Sequence, residues 1–353
     1  MRISSLRLAL FFLFLAPALA HAQVPEPGTG SVPTPSREIV RIAHPLPVFE
    51  FHSGFWVNLH HVLYQQARLK AARPTTRSQP LPPAGAETLL SLEKLSGAEK
   101  SAWTSAVADY AKRWSSHDLL FDSEMARTKD RLEEMGDAES LQTSGLKPEL
   151  VAALERAAPV YRARWWAEDD RANREWISGV APMVEQLGAH LARELARVYR
   201  VPWPAGNIRV DVCSYAGLFG GYTTLDPLRV TVSSRDARNQ GDEALEVLFH
   251  ESSHALAQPV RDAIVRDCRA SNKAIPRDLW HALLFYTTGE VVRRSLMAPN
   301  AAAAAKYEPY AYRHGLYVRD WQSYERALEQ FWRPYIEGHD NFDDAVARIV
   351  NQL

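Results

Sequence analysis

Cysteine is scarce: Cys213 and Cys268 are the only two in 353 residues. They lack the close spacing of a cysteine metal site, which excludes thiolate zinc ligation. In an oxidising compartment the two could pair and close a loop, stabilising the fold by about 4 kcal/mol; two buried free thiols fit the sequence equally well. Neither sign of charge is in excess. Lys plus Arg number 41 against 42 for Asp plus Glu, and no basic stripe is interleaved with aromatics, which argues against nucleic acid as a partner. Long apolar runs are also missing. The run Leu8–Leu19 is too short to span a bilayer, and it lies between Arg2 and Arg7 on one side and the small residues Ala18, Ala20 and Ala22 on the other. This pattern predicts a signal peptide over residues 1–22 and a secreted or periplasmic protein with no stable membrane anchor once the peptide is removed. No unit of 20–50 residues repeats, which excludes a solenoid or propeller.

What is present changes character along the chain. Residues 23–47 are rich in Pro, Gly, Ser and Thr and read as a linker. Helical spacing then begins at Phe55, Leu59, Val62 and Leu63, with His60 and His61 on that helix read as packing residues; a Pro-rich loop covers 73–86. Trp103, Val107, Tyr110 and Trp114 form one apolar stripe, and Trp176, Val180, Met183, Leu187, Leu191, Leu195 and Val198 form another; the charged run Glu168–Arg171 between them reads as a solvated face. These features predict a helical domain over 48–205. From Ile208 the period drops to two, with Val210 and Val212 alternating with Arg209 and Asp211. Further strand-like runs at Tyr222–Thr224 and Val230–Val232 complete a small antiparallel sheet. After Pro259 an irregular stretch leads to a helix from Asp278 to Leu296. Tyr307–Tyr317 reads as an aromatic loop, and two amphipathic helices, Trp321–Tyr335 and Phe342–Ile349, close the chain. The expected class is α+β and predominantly helical, with a second domain over 206–353.

The stretch with the clearest chemistry is Phe249-His250-Glu251-Ser252-Ser253-His254. Four residues of helix turn about 400°, so His250 and His254 project from one face, as two ligands of a tetrahedral zinc require. Glu251, about 100° round from His250, takes the general-base position without ligating the metal. Asp242 and Glu243 suit a helix N-terminus, and Pro259 is read as its end.

This HExxH motif, preceded by short strands and followed by Glu290 on a later helix, resembles the zincin metallopeptidases and, among them, the glutamate-ligand gluzincins. The resemblance spans roughly residues 206–300. It implies one zinc per chain held by His250, His254 and Glu290, with Glu251 shuttling a proton to the leaving amine. It also implies a substrate backbone lying along an edge strand, either Gly220–Thr224 or Val230–Ser233. A Tyr or His that stabilises the oxyanion is implied too. Tyr286, Tyr310, Tyr312, His314 and Tyr317 are candidates, with Tyr312 and His314 preferred for their polar aromatic loop. Two alternatives to Glu290 exist. Asp262 lies only eight residues past His254, and His281 lies nine residues of helix, half a turn, away from Glu290 on a more apolar face. Ala257 and Val260 stand where the metzincins need Gly and His; Arg294 and the lack of a GxMEN strand depart from the thermolysin and aminopeptidase branches.

The sequence therefore predicts a zinc metallopeptidase acting on peptides or proteins. The competing readings are an exported helical interaction protein with a structural or inactive zinc site, and hydrolysis of a non-peptide bond.

Overall fold

Capping chemistry and apolar periodicity set where the helices begin and which face each one buries. The computed structural model describes residues 48–71, 90–297, 307–319 and 321–353. The expected signal peptide, linker and Pro-rich loop lie outside the described residues. Four helices follow the first strand: α1 (Phe55–Ala71), α2 (Gly97–Arg113), α3 (Ser123–Met135) and α4 (Pro148–Arg164). Helix α2 starts at a capping box in which the Ser96 side chain accepts from the Glu99 amide and Glu99 reaches back to the Ser96 amide. These helices share a core that includes Phe55, Trp56, Trp103, Tyr110, Leu154 and Tyr161. The long helix α5 (Trp166–Tyr199) packs into a second core, burying Trp176, Val180, Leu191, Leu195 and Val198 of the expected stripe. Its neighbour Asp169 is not on a solvated face: it is buried, accepting from the Tyr161 hydroxyl at 2.7 Å and from Arg235 at 2.9 Å.

The sheet is mixed rather than antiparallel. Its order is β1 (Phe49–His52), β2 (Ile208–Cys213), β4 (Leu228–Ser233), β3 (Gly221–Leu225); β1–β2 and β2–β4 run parallel, and only β3–β4 is antiparallel. Two causes explain the difference. A four-residue strand from the start of the expected helical domain adds to the edge of β2, so the sheet draws strands from both sides of the 205/206 boundary. The link 214–220 also carries the chain past the next position, so β4 rather than β3 pairs with β2. The class itself is as expected, predominantly helical α+β.

Both faces of the sheet are covered. Ile208, Val210, Val212, Val230 and Val232 join the core with α5. The alternate positions are polar yet equally buried: Asp211 and Thr231 are fully enclosed, and α3 covers them with Lys129 and Glu133. Lys129 Nζ lies 3.1 Å from Glu133 and donates to Thr224 at 3.0 Å, while Arg229 reaches Glu133 at 3.1 Å. Buried charge of this kind persists only when paired and hydrogen-bonded. Cys213 and Cys268 are free thiols buried in the two different cores. Among the described residues no helix is long and apolar enough to cross a membrane.

Candidate metal centre

Helix α6 (Asp242–Ser253) carries the motif across the sheet, with Asp242 and Glu243 in its first turn. It tightens into a 3-10 turn at His254–Leu256, and Gln258–Ala270 then forms α7. Pro259 therefore opens a helix instead of preceding an irregular stretch, because a proline in the first turn gives up only an N–H that has no intrahelical acceptor. Helix α8 (Leu279–Met297) crosses α6 and brings His281 to it.

Three imidazoles converge there. The ring centroids of His250, His254 and His281 are 5.1, 5.3 and 5.3 Å apart, and one nitrogen from each lies within 4.8 Å of the others. His250 Nε2 and His281 Nε2 are 3.3 Å apart. Two nitrogens each about 2.0–2.1 Å from a tetrahedral zinc are separated by about that distance. Burial holds all three rings neutral, pushing His250 well below its ordinary pKa, His254 to about 3 and His281 to about 4. Neutral imidazole is the ligating form. The donor set therefore fits a zinc ion in number, chemistry and spacing. One feature is unusual for such a site: His250 Nδ1 is buried without a partner that would fix its tautomer.

Glu251 stands on the sheet side of the cluster, with Oε2 3.9 Å from His254 Nε2. The Thr223 hydroxyl on β3 lies 2.8 Å from Oε2 and 2.9 Å from the Glu251 carbonyl oxygen, while a Cβ at Gly221 would come within 3.5 Å of Oε1. Burial raises the Glu251 carboxyl to about 7, with the Thr223 hydrogen bond pulling the other way. A carboxyl at that value can both accept and return a proton near neutral pH. Of the two edge candidates, the Gly220–Thr224 segment is the one at the sheet edge, since β3 has one strand neighbour among the described residues.

Glu290 is not brought to the cluster. Its carboxylate is held by Arg293 at 2.6 and 3.0 Å, with Arg294 and Arg333 each at 3.8 Å. His281 faces α6, and nine residues of helix leave Glu290 on the opposite side. Tyr312 and His314 are also turned away: the Tyr312 hydroxyl donates to Glu329 at 2.6 Å, and His314 Nε2 pairs with Glu243 at 2.6 Å. Their segment forms short helical turns, Tyr310–Arg313 and Leu316–Arg319, in place of the expected loop. Asp262 is bonded to Gln258 at 2.8 Å, outside the cluster.

Tyr310 is linked to the cluster through a stacked ring. Its ring stacks on Phe285 at 5.7 Å, and Phe285 in turn stacks on His250 at 3.8 Å. Burial, with the Glu251 carboxylate among the contributing charges, pushes the Tyr310 phenol up to about 12, so it stays protonated. Glu246, one turn before His250, anchors this segment by accepting from the Tyr307 hydroxyl and, at 3.0 Å, from the Tyr310 amide. The sequence places Thr223 only within a segment expected to line the substrate and gives no sign of Glu246, because each acts through a partner distant in sequence. His60 and His61 are packing residues: His60 bonds Tyr110 at 2.9 Å, and His61 bonds the Val57 carbonyl at 2.7 Å and Tyr222 at 2.9 Å. Compared with known proteins, the chain matches no family model, no curated protein and no solved structure.

Proposed function

We propose that the chain is a zinc-dependent peptidase whose ligands are His250, His254 and His281. The observation that carries this reading is the convergence of three neutral imidazoles beside the buried carboxyl of Glu251. The zincin resemblance is kept, and its glutamate-ligand subgroup is given up. When bound, the metal supplies a Lewis acid that polarises a carbonyl and lowers the pKa of coordinated water.

The chain's own groups supply the rest. Glu251 accepts a proton from the attacking water and returns it to the leaving amine as the C–N bond breaks, leaving one carboxyl and one amine. The Thr223 hydroxyl holds that carboxylate beside His254. Tyr310 donates its phenolic proton in a hydrogen bond to the oxyanion that develops on the carbonyl. Arg2, Arg7 and the apolar run after them support a secreted or periplasmic location, which N-terminal sequencing of exported protein checks.

Zinc content per chain, measured beside cleavage of a mixed peptide library, tests the reading. We expect one zinc per chain in the parent and in Glu251→Gln, with turnover falling by about 10²-fold or more in the variant, since the amide keeps the shape and loses the proton acceptor. Full activity in Glu251→Gln would refute the general-base assignment. Stoichiometric zinc with no cleavage of any peptide would favour the structural-zinc interaction protein.

A further inference from the structure

Arg261, at the end of the first turn of α7, is a cation for which the fold supplies no anion. Its guanidinium carbon lies 3.5 Å from the centre of the Trp280 ring, and among the described residues no carboxylate pairs with it. Its Nε is buried without a hydrogen-bond partner. Asp262, the next residue, is bonded to Gln258 at 2.8 Å. Burial alone acts on the guanidinium, and it lowers the pKa. Arg209, Arg229 and Arg293, also partly buried, each hold a carboxylate within 3.1 Å. A helix N-terminus favours negative charge, and the first turn of α7 carries no acid, so the position gives an unpaired cation nothing in return for its desolvation.

The guanidinium stands at the solvent side of the imidazole cluster. Trp280 stacks on His281 at 4.9 Å and meets His254 edge-on at 5.7 Å, and the Arg261 charge acts on both rings. These two imidazoles are the ones that reach solvent, His254 with 20% of its side chain exposed, whereas His250 is buried. Stacking occupies the face of the guanidinium and leaves its N–H edge free, the edge that takes a carboxylate through two parallel hydrogen bonds. A fixed cation also opposes a metal dication nearby, and a bound carboxylate would offset that repulsion.

We propose that Arg261 is a specificity residue that receives a carboxylate of the substrate, so that the peptides cut are those carrying a negative charge within a residue or two of the scissile bond. This rests on the peptidase reading above and names its substrate class. One residue of extended chain spans about 3.3–3.6 Å, so one or two residues cross the single ring that separates Arg261 from the cluster. The carboxylate has two sources, a free C-terminus or an Asp or Glu side chain, and both present the same pair of acceptor oxygens.

The test uses N-terminally fluorescein-labelled peptides of one neutral sequence in three forms: with a free C-terminus, with an amidated C-terminus, and amidated with one internal Glu. Affinity is read by anisotropy on zinc-loaded Glu251→Gln, alone and combined with Arg261→Gln, and cleavage is read on the parent by mass spectrometry. We expect a carboxylate form to bind at least about 10-fold tighter than the neutral amide, as one charge-assisted pair allows. Arg261→Gln should bring that ratio close to one with zinc content unchanged, and Arg261→Lys, which keeps the charge and loses the fork, should keep part of it. Preference for the free C-terminus assigns the α-carboxylate and cleavage next to the chain end; preference for the internal Glu assigns the side chain. Equal affinity for all three forms overturns the proposal, whatever the variants do. A preference that survives Arg261→Gln overturns it as well, since the carboxylate would then sit on the metal. A carboxylate preference lost in Arg261→Gln, with no hydrolysis of any form by the parent, would instead sink the peptidase reading and leave the carboxylate site standing.

Discussion

Nine residues of helix turn through about 900°, so only one of His281 and Glu290 can face the imidazoles of α6. The structure turns His281 inward and leaves Glu290 among Arg293, Arg294 and Arg333. Glu290→Ala is therefore expected to keep stoichiometric zinc and His281→Ala to lose it, as metal analysis of the two purified, folded variants would show. Loss of zinc in Glu290→Ala alone would restore the glutamate ligand. The half-turn relation was legible in the sequence; the choice of side was not. An apolar face at Leu284–Phe285 suggested packing, yet Phe285 is apolar because it stacks on His250 and walls the site. A metal site needs a dry rim, and a dry rim looks like core in a one-dimensional pattern. The Thr223 hydroxyl gives a second residue-scale expectation. Thr223→Val should lower kcat with little change in KM, and Thr223→Ser, which keeps the hydroxyl, should restore most of it. An equal loss in the serine variant would reduce Thr223 to a packing role.

The elements that position the site were readable to different depths. Helix α6 was visible from its acidic start and paired histidines, and α8 falls within one residue of the expected range at each end. Helix α7 is not legible in the sequence, because a proline after a helical run reads as a stop, although the same residue is favoured in a first turn. The sheet was half legible. Period-two alternation marked β2, but pairing direction depends on which distant strand arrives beside it, and Phe49–His52 is too short to announce itself. The segment carrying Tyr310 depends on contacts to α6 that no local pattern encodes. Tyr310→Phe is predicted to lower kcat by about 10-fold or more while zinc and KM hold, since it removes one hydrogen-bond donor to the developing oxyanion. Steady-state kinetics on a cleaved library peptide decides it; an unchanged kcat would move that role elsewhere.

At the scale of the molecule, one face of the sheet is a buried polar layer, and the fold's stability is tied to groups that are buried out of their usual charge state. Lys129 is fully enclosed between Glu133 and Thr224, so Lys129→Ala would leave a buried carboxylate short of a partner and should cost about 3–5 kcal/mol, read as a lower urea midpoint. Protonation acts across the whole fold. Burial lowers His60, His61, His250, His254 and His281 below the unfolded value of 6.5, to about 4 for His61 and His281 and about 3 for His254. The unfolded chain then binds more protons, so this contribution is full above 6.5 and is lost as pH falls through the folded values. Burial first of all raises Glu246 and Glu251 to about 7, and their sign is opposite: the folded state holds the extra protons between about 4.5 and 7, so stability from this source falls as pH rises through that window. The two sets partly cancel between about 4.5 and 6.5. Below about 4.5 the carboxyls are protonated in both states and the histidines act unopposed. Five histidines outnumber the carboxyls, so urea midpoints of the metal-free protein should fall from pH 6.5 to 5 and more steeply below about pH 4.5. A decline already at its full steepness from pH 6.5 would mean that Glu246 and Glu251 are ionised in the folded chain and that Glu251 is not held near 7 before substrate binds.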